Sequence, residues 1–253
     1  MPRRLLSLPL LIMFAMSPLR VWATSECAHL VAIGAGEVPY QWSEGRPQGA
    51  HVGLLNRVAT ELGVTVEFLV ADSRQQAEAE ADSGRVDLLV GTERRPELVG
   101  LDFLLPPLYQ TPLVAWVPGE RAFAFHGPED LQGRRGLVVG EIPPLEGLQL
   151  AQRDDFPQAV RDLLAGAGDY VLFELAAGQA EVLRHDLADR VEILLPAIAQ
   201  QSRYLALSHS SACYSAGLRE RLTKALERLE VEGAGWSTVQ EQLGQWVSAQ
   251  DLH

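Results

Sequence analysis

The chain has 253 residues, with 33 acidic side chains against 21 basic ones, a formal net charge of −12 and two cysteines. So large an acidic excess disfavours nucleic acid and anionic membrane surfaces as partners, and no basic stripe with interleaved aromatics offsets it. The length suffices for one substantial core or two smaller ones.

At the start, Arg3 and Arg4 precede an apolar run from Leu5 to Met16 that Pro9 interrupts. The run is too short to span a bilayer comfortably, and the small residues of Val21-Trp22-Ala23 after it suit signal peptidase. Residues 1–23 are therefore expected to be a signal peptide cleaved after Ala23, and the rest of the chain to be periplasmic. A retained membrane anchor and a buried core helix are the alternatives. No later stretch reaches the roughly twenty apolar residues of a transmembrane helix, so no direct membrane insertion of the mature chain is expected. In an oxidising compartment Cys27 and Cys213 read most simply as a disulfide, with two free buried thiols as the alternative. A bridge would return the C-terminal segment to the N-terminal one.

Apolar strands then alternate with helical segments, the pattern of an α/β architecture with largely parallel sheets. Strands are predicted at His29–Ile33, Val64–Val70, Val86–Val90 and Leu113–Val117. Between them lie a helix carrying Val52, Leu55, Ala59 and Leu62, closed by Gly63, and a second helix that Ser73 can cap. A loop-like stretch from Pro118 to Pro128 leads to a second unit. It has strands at Gly136–Val139, Tyr170–Phe173, Val191–Leu195 and Tyr204–Leu207, and a helix opened by Pro157. Two helical segments follow Ser215, the first with Leu218, Leu222, Leu226 and Leu229 on one face. The expected division is lobe 1 at 24–116 and 207–253 and lobe 2 at 117–206.

The two units share a passage. Gly84-Arg85-Val86-Asp87 leads through a strand to Thr92, and Gly166-Ala167-Gly168-Asp169 leads through a strand to Glu174. In both, the polar residue stands five places after the aspartate, at the carboxyl end of a buried strand, where open α/β sheets bind ligands. Two such lobes would present Thr92 and Glu174 across one cleft. Chance similarity of two ordinary helix-strand units is the plainer alternative.

These residues resemble the extracellular solute-binding proteins of family 3, the periplasmic receptors for polar amino acids. The resemblance spans nearly all of the mature chain. It is carried by Val38-Pro39-Tyr40-Gln41-Trp42 with Gly49, Glu61-Leu62-Gly63, Gly84 to Thr92, Asp102-Phe103 with Pro107 and Tyr109, Asp130-Leu131-Gln132-Gly133, and Gly168-Asp169 to Glu174. It implies two α/β lobes joined by two crossing strands, a small-molecule ligand between them and hinge closure. It also implies a partner, either an ABC permease or a membrane sensor, and no cofactor.

Carried over by position, Tyr40 and Trp42 cover the ligand, Thr92 turns a hydroxyl to its carboxylate, and Glu174 receives its ammonium. Arg94 or Arg95 clamps the carboxylate, with Arg95 at the family's spacing after Thr92. For each the plainer alternative is a rim aromatic or a solvated charge. Two departures bear on the solute. Gly140-Glu141 stands where the family has Gly-Thr, so Glu141 would repel a carboxylate there, and Gly49-Ala50-His51-Val52-Gly53 lacks the family's acidic position. A polar amino acid remains the leading expectation, with a cationic, polyamine-like solute as competitor. The rival from another class is a dehydratase-like enzyme on the same lobes, with Glu174 or Glu141 as general acid. Against it stand the absence of a nucleophile elbow and six histidines scattered without ligand spacing.

Overall fold

The computed structural model describes residues 27–250. The export signal, with Arg3, Arg4 and the cleavage position after Ala23, lies outside the described residues. No helix among the described residues is long and apolar enough to cross a membrane.

In chain order the elements are β1 (His29–Ala35), β2 (Trp42–Ser43), β3 (Pro47–Gln48), α1 (Ala50–Leu62), β4 (Thr65–Ala71), α2 (Arg74–Asp82), β5 (Leu88–Thr92) and β6 (Leu101–Phe103). They continue with β7 (Tyr109–Pro118), β8 (Arg135–Val139), β9 (Gln149–Arg153), α3 (Phe156–Leu164), β10 (Tyr170–Glu174), α4 (Leu175–Arg184), β11 (Val191–Ser208), α5 (Ala216–Val231) and α6 (Ala234–Gln250). Strands β1, β4 and β5 pair in parallel in one lobe, and β8, β9 and β10 do so in the other. Two long strands, β7 and β11, run antiparallel to each other and join the halves into one path, β4-β1-β5-β11-β7-β10-β8-β9, with β6 on β11. The paired segments Tyr109–Leu113 and Ala199–Arg203 cross between the lobes, which makes them the hinge.

The apolar runs follow from burial on both sheet faces. In β10, Tyr170 and Leu172 join the core on one side of the second lobe's sheet and Val171 the core on the other. Strand β7 alternates in the same way, Leu113, Ala115 and Val117 against Val114 and Trp116. In the first lobe Leu88 and Val90 face α1, α5 and α6, and Leu89 faces α2. The helix ends follow their caps. Ser73 Oγ accepts from Gln76 N at 3.2 Å, Asp155 Oδ1 from Gln158 N at 2.6 Å and Ser215 Oγ from Leu218 N at 3.1 Å. Gly63, left-handed at φ 68°, closes α1. Leu218, Leu222, Leu226 and Leu229 are all buried, as their spacing predicts.

Three expectations change. The strands predicted at Val191–Leu195 and Tyr204–Leu207 are parts of one strand, β11, whose register shifts between Leu194 and Ala199, around Pro196. Strands β6 and β9 were not foreseen, β9 because Gln149-Leu150-Ala151-Gln152-Arg153 is a polar edge with no apolar run to betray it. Trp116, placed by the sequence at the end of the first lobe's segment, packs in the second lobe's core beside Phe156.

Cys27 and Cys213 form a disulfide, with Cα atoms 5.6 Å apart, so the segment entering β1 and the segment entering α5 are tied together. The repeated aspartates do the same work in each lobe. Asp87 Oδ2 accepts from Val31 N at 2.7 Å and its N–H donates to Val31 O at 2.8 Å; Asp169 Oδ2 accepts from Arg135 N at 2.8 Å and its N–H donates to Arg135 O at 2.7 Å. Each aspartate clamps the neighbouring parallel strand and so sets where β5 and β10 run.

Candidate functional site

Both clamped strands end at the cleft. Thr92 closes β5 and Glu174 closes β10, and both are buried. Glu174 also stands at the start of α4, yet it does not cap that helix. Its side chain turns instead across the lobes, where Oε2 accepts from Tyr40 Oη at 2.6 Å and Oε1 accepts from Arg203. Arg203 comes from the first-lobe end of the hinge, opposite Tyr109, and also donates to Glu93, which follows Thr92 in the first lobe. Glu93 accepts from Arg74 at 3.2 Å as well. Tyr40 Oη lies 3.1 Å from Thr111 Oγ1 on the hinge. The deep end of the cleft is thus a chain of charges and hydroxyls from both lobes, Arg74, Glu93, Arg203, Glu174 and Tyr40.

Behind it lies a second polar cluster. His51 Nε2 is 2.9 Å from Tyr109 Oη and Nδ1 is 3.2 Å from Gln41 Oε1. Gln41 Nε2 donates to Leu69 O at 2.7 Å, which leaves Oε1 as acceptor. His51 therefore carries its proton on Nδ1 and accepts from Tyr109 on Nε2. Tyr40 stacks on Tyr109 with ring centroids 5.4 Å apart. Burial, then the Arg203 charge, pushes the His51 pKa down to about 3. Burial raises the phenols of Tyr40 and Tyr109, so both remain donors. For Arg203, burial opposes the charge, but Glu93, Tyr109 and Glu37 outweigh it and hold its pKa above the usual value. For Glu93, burial is likewise outweighed, by Arg203 and Arg74, and its pKa is lowered.

Two cavities meet at this network. The inner one, among Tyr40, His51, Thr92, Tyr109 and Arg203, holds about 30 Å³, roughly the volume of a water molecule. The outer one is the interlobe cleft, about 730 Å³. Glu37, Asp72, Arg74, Glu78 and Arg95 face it from the first lobe, and Glu141, Asp154, Asp155, Phe156, Phe173 and Glu181 from the second. Phe156 and Phe173 stack with centroids 4.7 Å apart. Glu37 touches both cavities, and burial pushes its pKa up, with Arg203 and Arg74 offsetting part of that.

Of the residues singled out by sequence, Tyr40, Thr92 and Glu174 come together at the deep end. Arg95 and Glu141 meet at the cleft, 3.4 Å apart across the lobes, with Arg95 also paired to Glu78. Arg94 is exposed and lines a side pocket rather than the main cleft. Trp42 is not among the lining residues of either cavity; it packs with Val38, Ala180 and Trp246. Glu37, Arg74, Glu93 and Arg203 were missed. The signal for Arg203 is slight: it stands just before the strand expected at Tyr204–Leu207, and at period two it shares the face of Leu205 and Leu207, both buried. Among the described residues no group of three or more His, Cys, Asp or Glu side chains is placed to hold a metal ion.

No protein-family model matches the chain, and no curated protein does. Solved structures do. The GluR0 ligand-binding core in complex with L-glutamate matches with a TM-score of 0.64 at 16% identity, covering 86% of this chain and 97% of its own. A histidine kinase sensor domain with similarity to periplasmic binding proteins matches with a TM-score of 0.64 at 23% identity, covering 87% and 97%. An amino acid ABC transporter substrate-binding protein from Streptococcus pneumoniae, bound to L-arginine, matches with a TM-score of 0.62 at 21% identity, covering 86% and 95%. At these identities the likeness is one of fold: this chain has the two-lobed α/β fold of the periplasmic binding proteins, with two crossing strands as its hinge.

Proposed function

We propose that the protein is an exported receptor that captures a small organic cation, a basic amino acid or a related amine, between its lobes. The observation that carries this reading is the cleft of about 730 Å³ with acids on both walls, Glu37 and Asp72 on one and Asp154 and Glu181 on the other. The two cleft arginines add little positive potential, because Arg74 is paired to Glu93 and Arg95 to Glu78 and Glu141. The stacked Phe156 and Phe173 supply an apolar and π-rich wall for a cation's stem. Glu141 disfavours a solute whose carboxylate must sit at that wall.

Residues 1–23 would direct export, the disulfide fits an oxidising compartment, and the solute-loaded protein would be read by an ABC-type permease. The likeness to a kinase sensor domain favours a second reading of the same capture, in which a membrane signalling partner reads it. Thermal-shift screening of the mature protein against arginine, agmatine, putrescine and glutamate tests the reading, since a ligand that binds only the folded state raises its apparent stability. Amines and arginine are expected to raise Tm and glutamate to leave it unchanged. A broad library of amines, amino acids and organic acids without a single shift would overturn the proposal.

A further inference from the structure

Arg203 stands where a solute's charge would be expected. Its side chain is 7% exposed, and it bridges Glu93 of one lobe and Glu174 of the other. Both oxygens of Glu174 are engaged, one by Arg203 and one by Tyr40. The inner cavity beside them is small, about 30 Å³ against about 730 Å³ for the outer cleft. Removing one member of such a buried set strands the others as uncompensated charges, so the set stays assembled in the absence of any solute.

We propose that Arg203 is a built-in occupant of the deep end of the cleft: its guanidinium fills the position between Glu93 and Glu174 that a ligand's cationic group would take. Two consequences follow from the geometry. Glu174 does not select the solute, which finds its partners further out, at Glu37 and the walls of the outer cleft. The lobes are also held together by the chain's own cation, so the unliganded protein is closed. The second consequence concerns the lobes alone and is independent of which solute the outer cleft takes.

The test is chemical rescue read by small-angle X-ray scattering and thermal unfolding. The solute-free native protein is expected to scatter as the closed structure. Arg203→Ala should scatter as a more open particle and melt lower. Ethylguanidinium at about ten times its dissociation constant should close the variant and raise its Tm by roughly 3 °C, while the scattering of the native protein, already closed, stays as it was. An equal concentration of tetramethylammonium, which cannot donate a hydrogen bond to Glu93 or Glu174, controls for ionic strength and should leave the variant open. A native protein that is open without solute, or a variant that neither opens nor responds to ethylguanidinium, overturns the proposal. Should Arg203→Ala fail to fold, the triple variant Glu93→Gln, Glu174→Gln, Arg203→Met removes all three buried charges and unpairs only Arg74, which is partly exposed at the cleft. It should fold, scatter as open and ignore ethylguanidinium; if it scatters as compactly as the native protein, the latch is disproved. A thermal-shift screen that finds no solute for the native protein would leave these outcomes unchanged, so the two proposals fail separately.

Discussion

Tyr40 and Glu174 stand 134 positions apart in the chain and 2.6 Å apart in space, one from each lobe. The phenol donates to a buried carboxylate whose other oxygen accepts from Arg203. Tyr40→Phe keeps the ring, and with it the stack on Tyr109, but leaves a carboxylate oxygen unsatisfied. It is expected to destabilise the protein by about 1–3 kcal/mol. Thr111→Val removes only the weaker neighbour of the same hydroxyl and should lose about 1 kcal/mol or less. Urea unfolding of both variants checks the order; equal losses would place the hydroxyl's contribution in its contact with Thr111 rather than in the bond to Glu174.

The second prediction concerns Gly91. Its φ is +71°, and an added Cβ would lie 2.2 Å from both Cε1 and Nε2 of His51. That ring is buried and held at both nitrogens, so it has no free path away. Gly91→Ala should therefore cost about 2–4 kcal/mol, the sum of left-handed backbone and a clash in the core. In a His51→Ala background most of the steric part should vanish. A double-mutant cycle measures this directly, and additive losses would show that backbone strain alone is at work.

Much of this was legible from residues. The passages Gly84 to Thr92 and Gly166 to Glu174 announced two equivalent units, because an aspartate that clamps a parallel strand must stand at a fixed distance before that strand's carboxyl end. Ser73 and Ser215 announced their helices by capping chemistry that is local. Arg203 and Glu93 show no local sign of a site, because what makes them one is the pairing of β5 with β11, Thr92 against Tyr204, which brings together residues 110 positions apart. His51 was passed over as one of six scattered histidines. No local pattern distinguishes it, since its partners Gln41 and Tyr109 are assembled by the fold. Trp42 shows the converse: an aromatic in a loop before α1 resembles a ligand cover, yet α6 returns from the far end of the chain to pack Trp246 beside it.

Acid should weaken the fold through His51. Its folded pKa of about 3 lies below the unfolded 6.5, so the unfolded chain takes up the proton first. The stability linked to this group is complete above about pH 6.5 and is lost as the pH falls toward 3, on the order of 5 kcal/mol across the window. The groups that touch the ring are Gln41, Tyr40 and Tyr109, none of them an acid able to receive an imidazolium, while Arg203 and Glu37 face the inner cavity beside it. His51→Gln should flatten the dependence of the denaturant midpoint on pH between 6.5 and 4.5. Below that the lowered carboxyls of Glu93 and Asp169 continue to lose stability as they protonate. Glu37 acts in the opposite sense, its raised pKa favouring the fold as the pH drops through that value. A slope unchanged by His51→Gln would assign the acid sensitivity to the carboxyls.

Reduction of the disulfide gives the last prediction. Cys27 and Cys213 are separated by 186 positions, so the bridge closes nearly the whole described chain into one loop. Loop-closure entropy then sets an upper figure of about 5 kcal/mol for its stabilisation. Beside the bridge, Ser211 Oγ accepts from Cys213 N at 2.9 Å and bonds to Asp87. Loss of the bridge should therefore act in two ways. The unfolded chain gains freedom, and the Asp87 clamp on β1 loosens because Ser211 is no longer tethered. The Cys27→Ser, Cys213→Ser variant is expected to melt about 10 °C lower. Hydrogen exchange should be fastest at Val31 and its neighbours in β1, while β8 and β10, clamped by Asp169 in the other lobe, keep their protection until global unfolding. Equal loss of protection in both lobes would mean that the disulfide acts only through the unfolded chain and that the Asp87 clamp is independent of it.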